Sequence, residues 1–198
     1  MQKKTSTLII ACGALARELT WAIEANNWED IFKVTCLPAN LHNRPEKIPD
    51  EMRKKIHQNR GDFQQIIALY GDCGTGGQLD LVLEEENVKR IPGAHCYEFL
   101  TGSSLFSTIA EQEIGTFYLT DYLVRFFDRL IIEGLGIKKH PELLPVYFGN
   151  YTRLVYLAQS DDKTLQQKAR QAAKKLGLTF EYKFTGFQAL STFIGQNI

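Results

Sequence analysis

Apolar and polar positions are grouped in blocks along this chain: short apolar runs take turns with stretches of helical period. Residues 7–11, 32–37, 65–70, 88–91, 153–159 and 178–184 read as strands. Several are continuous apolar runs, as in strands covered on both faces. Residues 14–26 place Leu15, Leu19, Ala22 and Ile23 on one helical face. A helix begins at Pro49 and runs to Asn59, since proline suits the first helical position. Short helices follow at 78–86, at 97–109 with a break near Gly102, and at 141–148, and Pro92 with Gly93 makes a turn. The clearest helical period spans 116–133. There Phe117, Thr120, Leu123, Val124, Phe127, Leu130 and Ile131 form one stripe, and Asp121 can pair with Arg125 across one turn. A helix over 163–176 is capped by Asp161 or Asp162 and stopped by Gly177. Strands alternating with helices predict an α/β fold: one domain over residues 1–198, with a mostly parallel, doubly wound sheet of about five or six strands flanked by helices.

Composition narrows the function classes. The 23 basic and 23 acidic residues cancel, so nothing suggests a nucleic-acid footprint. No apolar run reaches the length of about 18 residues that a membrane span needs. The apolar stretch before Cys12 is shorter than the roughly 7–15 residues of a signal-peptide core. It reads instead as the first strand of a cytoplasmic protein. The four cysteines, Cys12, Cys36, Cys73 and Cys96, are widely spaced with no CxxC. In a cytosolic chain, metal or catalytic roles then compete with plain burial.

The stretch Tyr70-Gly71-Asp72-Cys73-Gly74-Thr75-Gly76-Gly77 has four glycines in eight residues directly after a strand. In open α/β sheets ligands bind beyond the carboxyl ends of strands, and glycines let backbone approach a ligand closely. Gly74, Thr75, Gly76 and Gly77 are therefore cofactor-binding candidates; the alternative is a tight turn around an inert cysteine. Cys12 ends the first strand, Cys36 the second, Cys73 follows the third, and His95 and Cys96 follow the fourth. All four sulfurs thus fall on one sheet edge, and thiols with imidazoles are what soft or borderline metals require. Cys12, Cys73, His95 and Cys96 are the metal-ligand candidates. Cys36 reads as buried, His42 either joins the site or braces its own loop, and His57 and His140 read as structural. Asp72 and Glu98 are the carboxylates available for acid–base catalysis. Thr120 and Asp121, at a predicted helix start, and Asn150 and Tyr151, in a turn before a strand, are candidate cofactor contacts.

The glycine loop lacks GK[ST], and Cys12-Gly13-Ala14-Leu15-Ala16 is not GxGxxG. HExxH, GxSxG and Asp-x-His-x-x-Gly do not occur. The segments at 11–15, 41–48, 70–77, 95–98, 115–121 and 149–151 resemble a bacterial and archaeal family known only as a domain of unknown function. The resemblance covers nearly the whole chain. It implies a setting near corrinoid-dependent methyl-transfer systems of anaerobes, not an activity. Two readings stand. One is a zinc-dependent enzyme acting on a small molecule. The other is a non-catalytic carrier of an iron–sulfur cluster or other cofactor, serving corrinoid methyl-transfer proteins.

Overall fold

The continuous apolar runs become inner strands. In the computed structural model, which describes residues 5–91 and 93–197, the chain divides into two compact units. One is Met1–Phe99 with Leu190–Ile198, the other Leu100–Ala189. Pro92, expected to help turn the chain, lies outside the described residues.

The first unit carries β1 (Thr5–Cys12), β2 (Phe32–Leu37), β3 (Phe63–Leu69) and β4 (Lys89–Arg90) in a parallel sheet of order β2-β1-β3-β4. Leu8, Ile9, Ile10 and Ala11 of β1 are buried on both faces. Helices α1 (Ala16–Ala25), α2 (Ile48–Asn59) and α3 (Gln78–Glu85) bury Leu19 and Ile23, Met52 and Ile56, and Leu79 and Leu83. Pro49 sits in the first turn of α2, as the sequence predicts. Helix α4 (Cys96–Thr101) opens at a cysteine, and the boundary between the units falls within it. His57 is bonded to Glu86 at 2.9 Å, in keeping with a structural role.

The second unit holds α5 (Ser103–Gln112), β5 (Thr116–Thr120), α6 (Asp121–Arg125), a π-helical stretch Asp128–Glu133, α7 (Leu143–Phe148), β6 (Arg153–Ala158), α8 (Lys163–Leu176) and β7 (Thr179–Phe184). Its sheet is parallel, in the order β5-β6-β7. Arg153 ties it together, donating to Thr116 Oγ1 (2.8 Å), Glu181 Oε2 (2.9 Å) and the Ile109 carbonyl (2.7 Å). Helix α9 (Gln188–Asn197) follows, and its residues from Leu190 onward belong to the first unit.

The fold is α/β with parallel strands, as expected, but the strands form two sheets rather than one of five or six. The helix expected over 116–133 is also corrected. Its first five residues, Thr-Phe-Tyr-Leu-Thr, are β-branched or aromatic apart from Leu119 and suit a pleated surface. They pair along β6 from Thr116↔Arg153 to Thr120↔Leu157. Helix begins only at Asp121, with Thr120 as its cap accepting from the Leu123 N–H at 3.3 Å. Beyond that point the apolar stripe holds: Leu123, Val124, Phe127, Leu130 and Ile131 are buried and Arg125 is exposed. The expected Asp121–Arg125 pair does not form. Asp121 is 1% exposed and accepts from Tyr156 Oη (2.6 Å), the N–H groups of Gln159 (3.0 Å) and Ser160 (3.1 Å), and the Ser160 hydroxyl. A buried carboxylate needs such partners, and β6 supplies them at its carboxyl end. Asp162 rather than Asp161 caps α8, and Gly177 ends it at φ 73°.

Candidate functional site

In the order β2-β1-β3-β4 the chain winds to one side of β1 and then to the other, so the winding reverses between β1 and β3. In open parallel sheets that reversal opens a crevice at the carboxyl edge, where ligands bind. Cys12 is the last residue of β1, and Cys73 lies four residues beyond Leu69, the end of β3. The two thiols therefore flank the switch point of this sheet.

Backbone bonding brings a third thiol to them. The segment after β4 continues alongside the segment after β3: the Asp72 N–H donates to the Gly93 carbonyl (3.4 Å) and the Cys73 N–H to that of Ala94 (3.0 Å). Gly71 makes this approach possible. A Cβ there would lie 2.8 Å from His95 Cα and 2.9 Å from the Cys96 N, closer than real Cβ contacts come. With the strand ends so close, Cys73 Sγ and Cys96 Sγ stand 3.4 Å apart. Cys12 lies close enough to Cys96, Tyr70 and the Ala14 N–H for each of them to act on its charge. All four cysteines are free thiols; Cys12 is buried and the others are half-buried.

The sulfurs differ in their hold on protons. Hydrogen bonding from Cys96 is the main cause that lowers Cys73 to about 5, and His95 and the Cys96 N–H add to it. Cys12 is lowered too, first by Cys96, then by the Ala14 N–H and Tyr70. Cys96 is raised well above the usual thiol range, first by Cys12 and Cys73 beside it and then by burial. Tyr70 stays protonated, chiefly through burial and then through the thiolates around it. His95 is exposed and raised, first by its hydrogen bond to Cys73. His42, in the turn after β2, is half-buried and lowered by burial, with Cys73 and His95 both acting on its charge. It thus belongs to this neighbourhood. Cys36 sits one strand over, paired with Ala11, and burial pushes it up to about 11.

Cys73 also holds φ 49°. A side chain in the left-handed region costs of order 1 kcal/mol or more and persists where its surroundings enforce it, often at functional positions.

The glycine loop is closed by its own carboxylate. Asp72 accepts from the Thr75 hydroxyl (2.6 Å) and the N–H groups of Gly77 (2.9 Å) and Gly76 (3.3 Å). Thr75 first, then these amides, hold Asp72 below the usual carboxylate range. The N–H groups of Gly76 and Gly77 are thus already engaged by a carboxylate. Glu98 is occupied likewise, accepting from the Ala94 N–H at 2.5 Å and so bracing the turn into α4. Thr120, Asp121, Asn150 and Tyr151 belong to the second unit. There Thr120 and Asp121 are spent on α6 and β6, while Asn150 and Tyr151 are exposed in the turn before β6. The residue that sequence reading missed is Tyr70, whose place in an apolar strand run hides its polar end. Among the described residues, no group of three or more His, Cys, Asp or Glu side chains is arranged so that it could hold a metal ion; the one sulfur–sulfur contact among them is Cys73–Cys96. Among the described residues no helix is long and apolar enough to cross a membrane.

The model of the family described as "Protein of unknown function (DUF1638)" matches residues 36–194. That stretch contains Cys36, Cys73 and Cys96. No curated protein matches the chain. Among solved structures, the ornithine carbamoyltransferase from Pyrococcus furiosus is similar over 91% of this chain and 55% of its own, with 15% sequence identity and a TM-score of 0.30. The chain spans about half the length of that structure, and a likeness so shallow carries no argument about its chemistry.

Proposed function

The chain belongs to the DUF1638 family, and from its thiol cluster we propose that it binds a thiophilic metal through Cys12, Cys73 and Cys96, with His95 at the solvent-facing position. The observation that carries this is the 3.4 Å separation of the Cys73 and Cys96 sulfurs. Two Zn–S bonds of about 2.3 Å at a tetrahedral angle place sulfurs about 3.8 Å apart. The pair is within a few tenths of an ångström of that spacing and far from the 2.05 Å or so of a disulfide. Binding would need side-chain rotation at Cys12 and Cys73 to bring the three sulfurs around the ion. Any S–H among the ligands leaves as the metal binds, because metal ligands are thiolates.

Zinc held by the three sulfurs, with the exposed His95 displaced to open the fourth position, would activate a thiol or a water as nucleophile toward a small molecule. Iron with sulfide would instead make the protein a non-catalytic carrier serving a corrinoid-dependent methyl-transfer system. The proposal uses neither Asp72 nor Glu98, since both carboxylates hold loop backbone.

The test is metal and sulfide analysis after anaerobic purification from cells supplied with zinc and iron. We expect about one zinc per chain in the wild type, loss in Cys73→Ser and Cys96→Ser, and retention in Cys36→Ser. Iron with sulfide, lost in the same two variants, selects the carrier. A wild type with no metal above background overturns the proposal.

A further inference from the structure

The geometry points to a second state of the same site: a hydroperoxide closes Cys73 and Cys96 into a disulfide, which removes two of the three sulfur ligands and releases the metal. As a control on metal occupancy this rests on the metal reading above; the disulfide itself does not. Three observations carry it. The two sulfurs are already in contact at 3.4 Å, so the bond needs side-chain rotation and a closing of about 1.4 Å to reach disulfide length. Their backbones are held side by side through the Cys73 N–H and the Ala94 carbonyl, and Gly71 removes the Cβ that would force them apart. Cys73 and Cys96 are half-buried at an edge where His95 is exposed, whereas Cys12 is only 4% exposed. A solute oxidant therefore meets Cys73 before Cys12.

The chemistry balances in two steps. The Cys73 sulfur attacks one peroxide oxygen; the O–O bond breaks, an S–O bond forms, and the other oxygen leaves as water or alcohol with the thiol proton. The Cys96 sulfur then attacks the Cys73 sulfur. The S–O bond breaks, the S–S bond forms, and the hydroxyl leaves as water with the Cys96 proton. Two thiols are oxidised and one peroxide is reduced. A dithiol such as dithiothreitol reverses the state by exchange through a mixed disulfide.

The experiment treats metal-loaded and metal-free wild-type protein with hydrogen peroxide, then alkylates, digests and maps the cysteines by mass. The expected product is a single Cys73–Cys96 disulfide with Cys12 and Cys36 alkylated, restored to four alkylated thiols by dithiothreitol. In loaded protein, metal should be released in proportion to the disulfide formed. In Cys96→Ser the reaction should stop at a Cys73 sulfenic acid that dimedone traps; if that variant does not fold, the wild-type map still decides. A Cys12–Cys96 disulfide, a Cys73 sulfinic acid without disulfide, or four intact thiols after peroxide each overturn the inference. A protein that forms the disulfide but never held metal overturns the functional reading and leaves the disulfide standing. One that holds metal but forms no disulfide does the reverse.

Discussion

Cys73 and Cys36 are the same residue type on one sheet edge, yet their surroundings push them in opposite directions. Cys96 and His95 hold Cys73 down at about 5, while burial raises Cys36 to about 11. In metal-free protein the alkylation rate of Cys73 should therefore level off from near pH 6 upward, at roughly one unit above its pKa. Cys36 should label only in strong alkali. Peptide mapping across a pH series checks this, and a Cys73 rate still climbing tenfold per unit above about pH 8 would contradict it. The sign for stability follows. The folded-state value of Cys73 lies below its ordinary value of 9.0. Its contribution is therefore full above that ordinary value, shrinks as pH falls, and is gone once pH drops through about 5. In acid-induced unfolding of the metal-free protein, Cys73→Ser should flatten this part of the profile.

At the scale of elements, the site depends on how two connections lie against each other. The turn after β3 and the segment after β4 share backbone hydrogen bonds only because Gly71 has no side chain. Gly71→Ala should cost about 1–3 kcal/mol in chemical denaturation, the usual range for overpacking. It should also lower metal content, because the His95–Cys96 backbone must move away from Cys73. Unchanged stability and unchanged metal would show that the contact yields without consequence. The glycine loop serves its own carboxylate. Gly77 at φ 84° lets the chain enter α3 while its N–H and that of Gly76 serve Asp72. A stretch that resembles a phosphate cradle in composition thereby folds around the carboxylate next to Cys73.

For the molecule as a whole, every proposed ligand lies in one compact unit, Met1–Phe99 with Leu190–Ile198. Metal bound to a native site stabilises what it holds. Removing it with a chelator should raise amide exchange in β1, in the turn after β3 and at the start of α4, and leave β5, β6 and β7 unchanged; hydrogen-exchange mass spectrometry resolves the two. Equal acceleration in both sheets would show that the site stabilises more than its own unit. Which parts of this were legible in sequence follows from range. The apolar runs, the cap prolines and glycines, and the placing of Cys12, Cys73 and Cys96 on one strand edge are local or two-residue-period properties. The chain alone determined them, along with α/β class and parallel strands. The number of sheets, the strand at 116–120, the enclosure of Asp121 and the recruitment of Tyr70 and His42 depend on what packs against a segment. Side-chain periodicity over 116–133 fits a helix until β6 offers a ladder of hydrogen bonds along Thr116–Thr120. The 3.4 Å contact of Cys73 with Cys96 likewise arises between segments 23 residues apart. Only tertiary structure decides it, because the approach is set by strand pairing across the sheet and by the missing Cβ of Gly71.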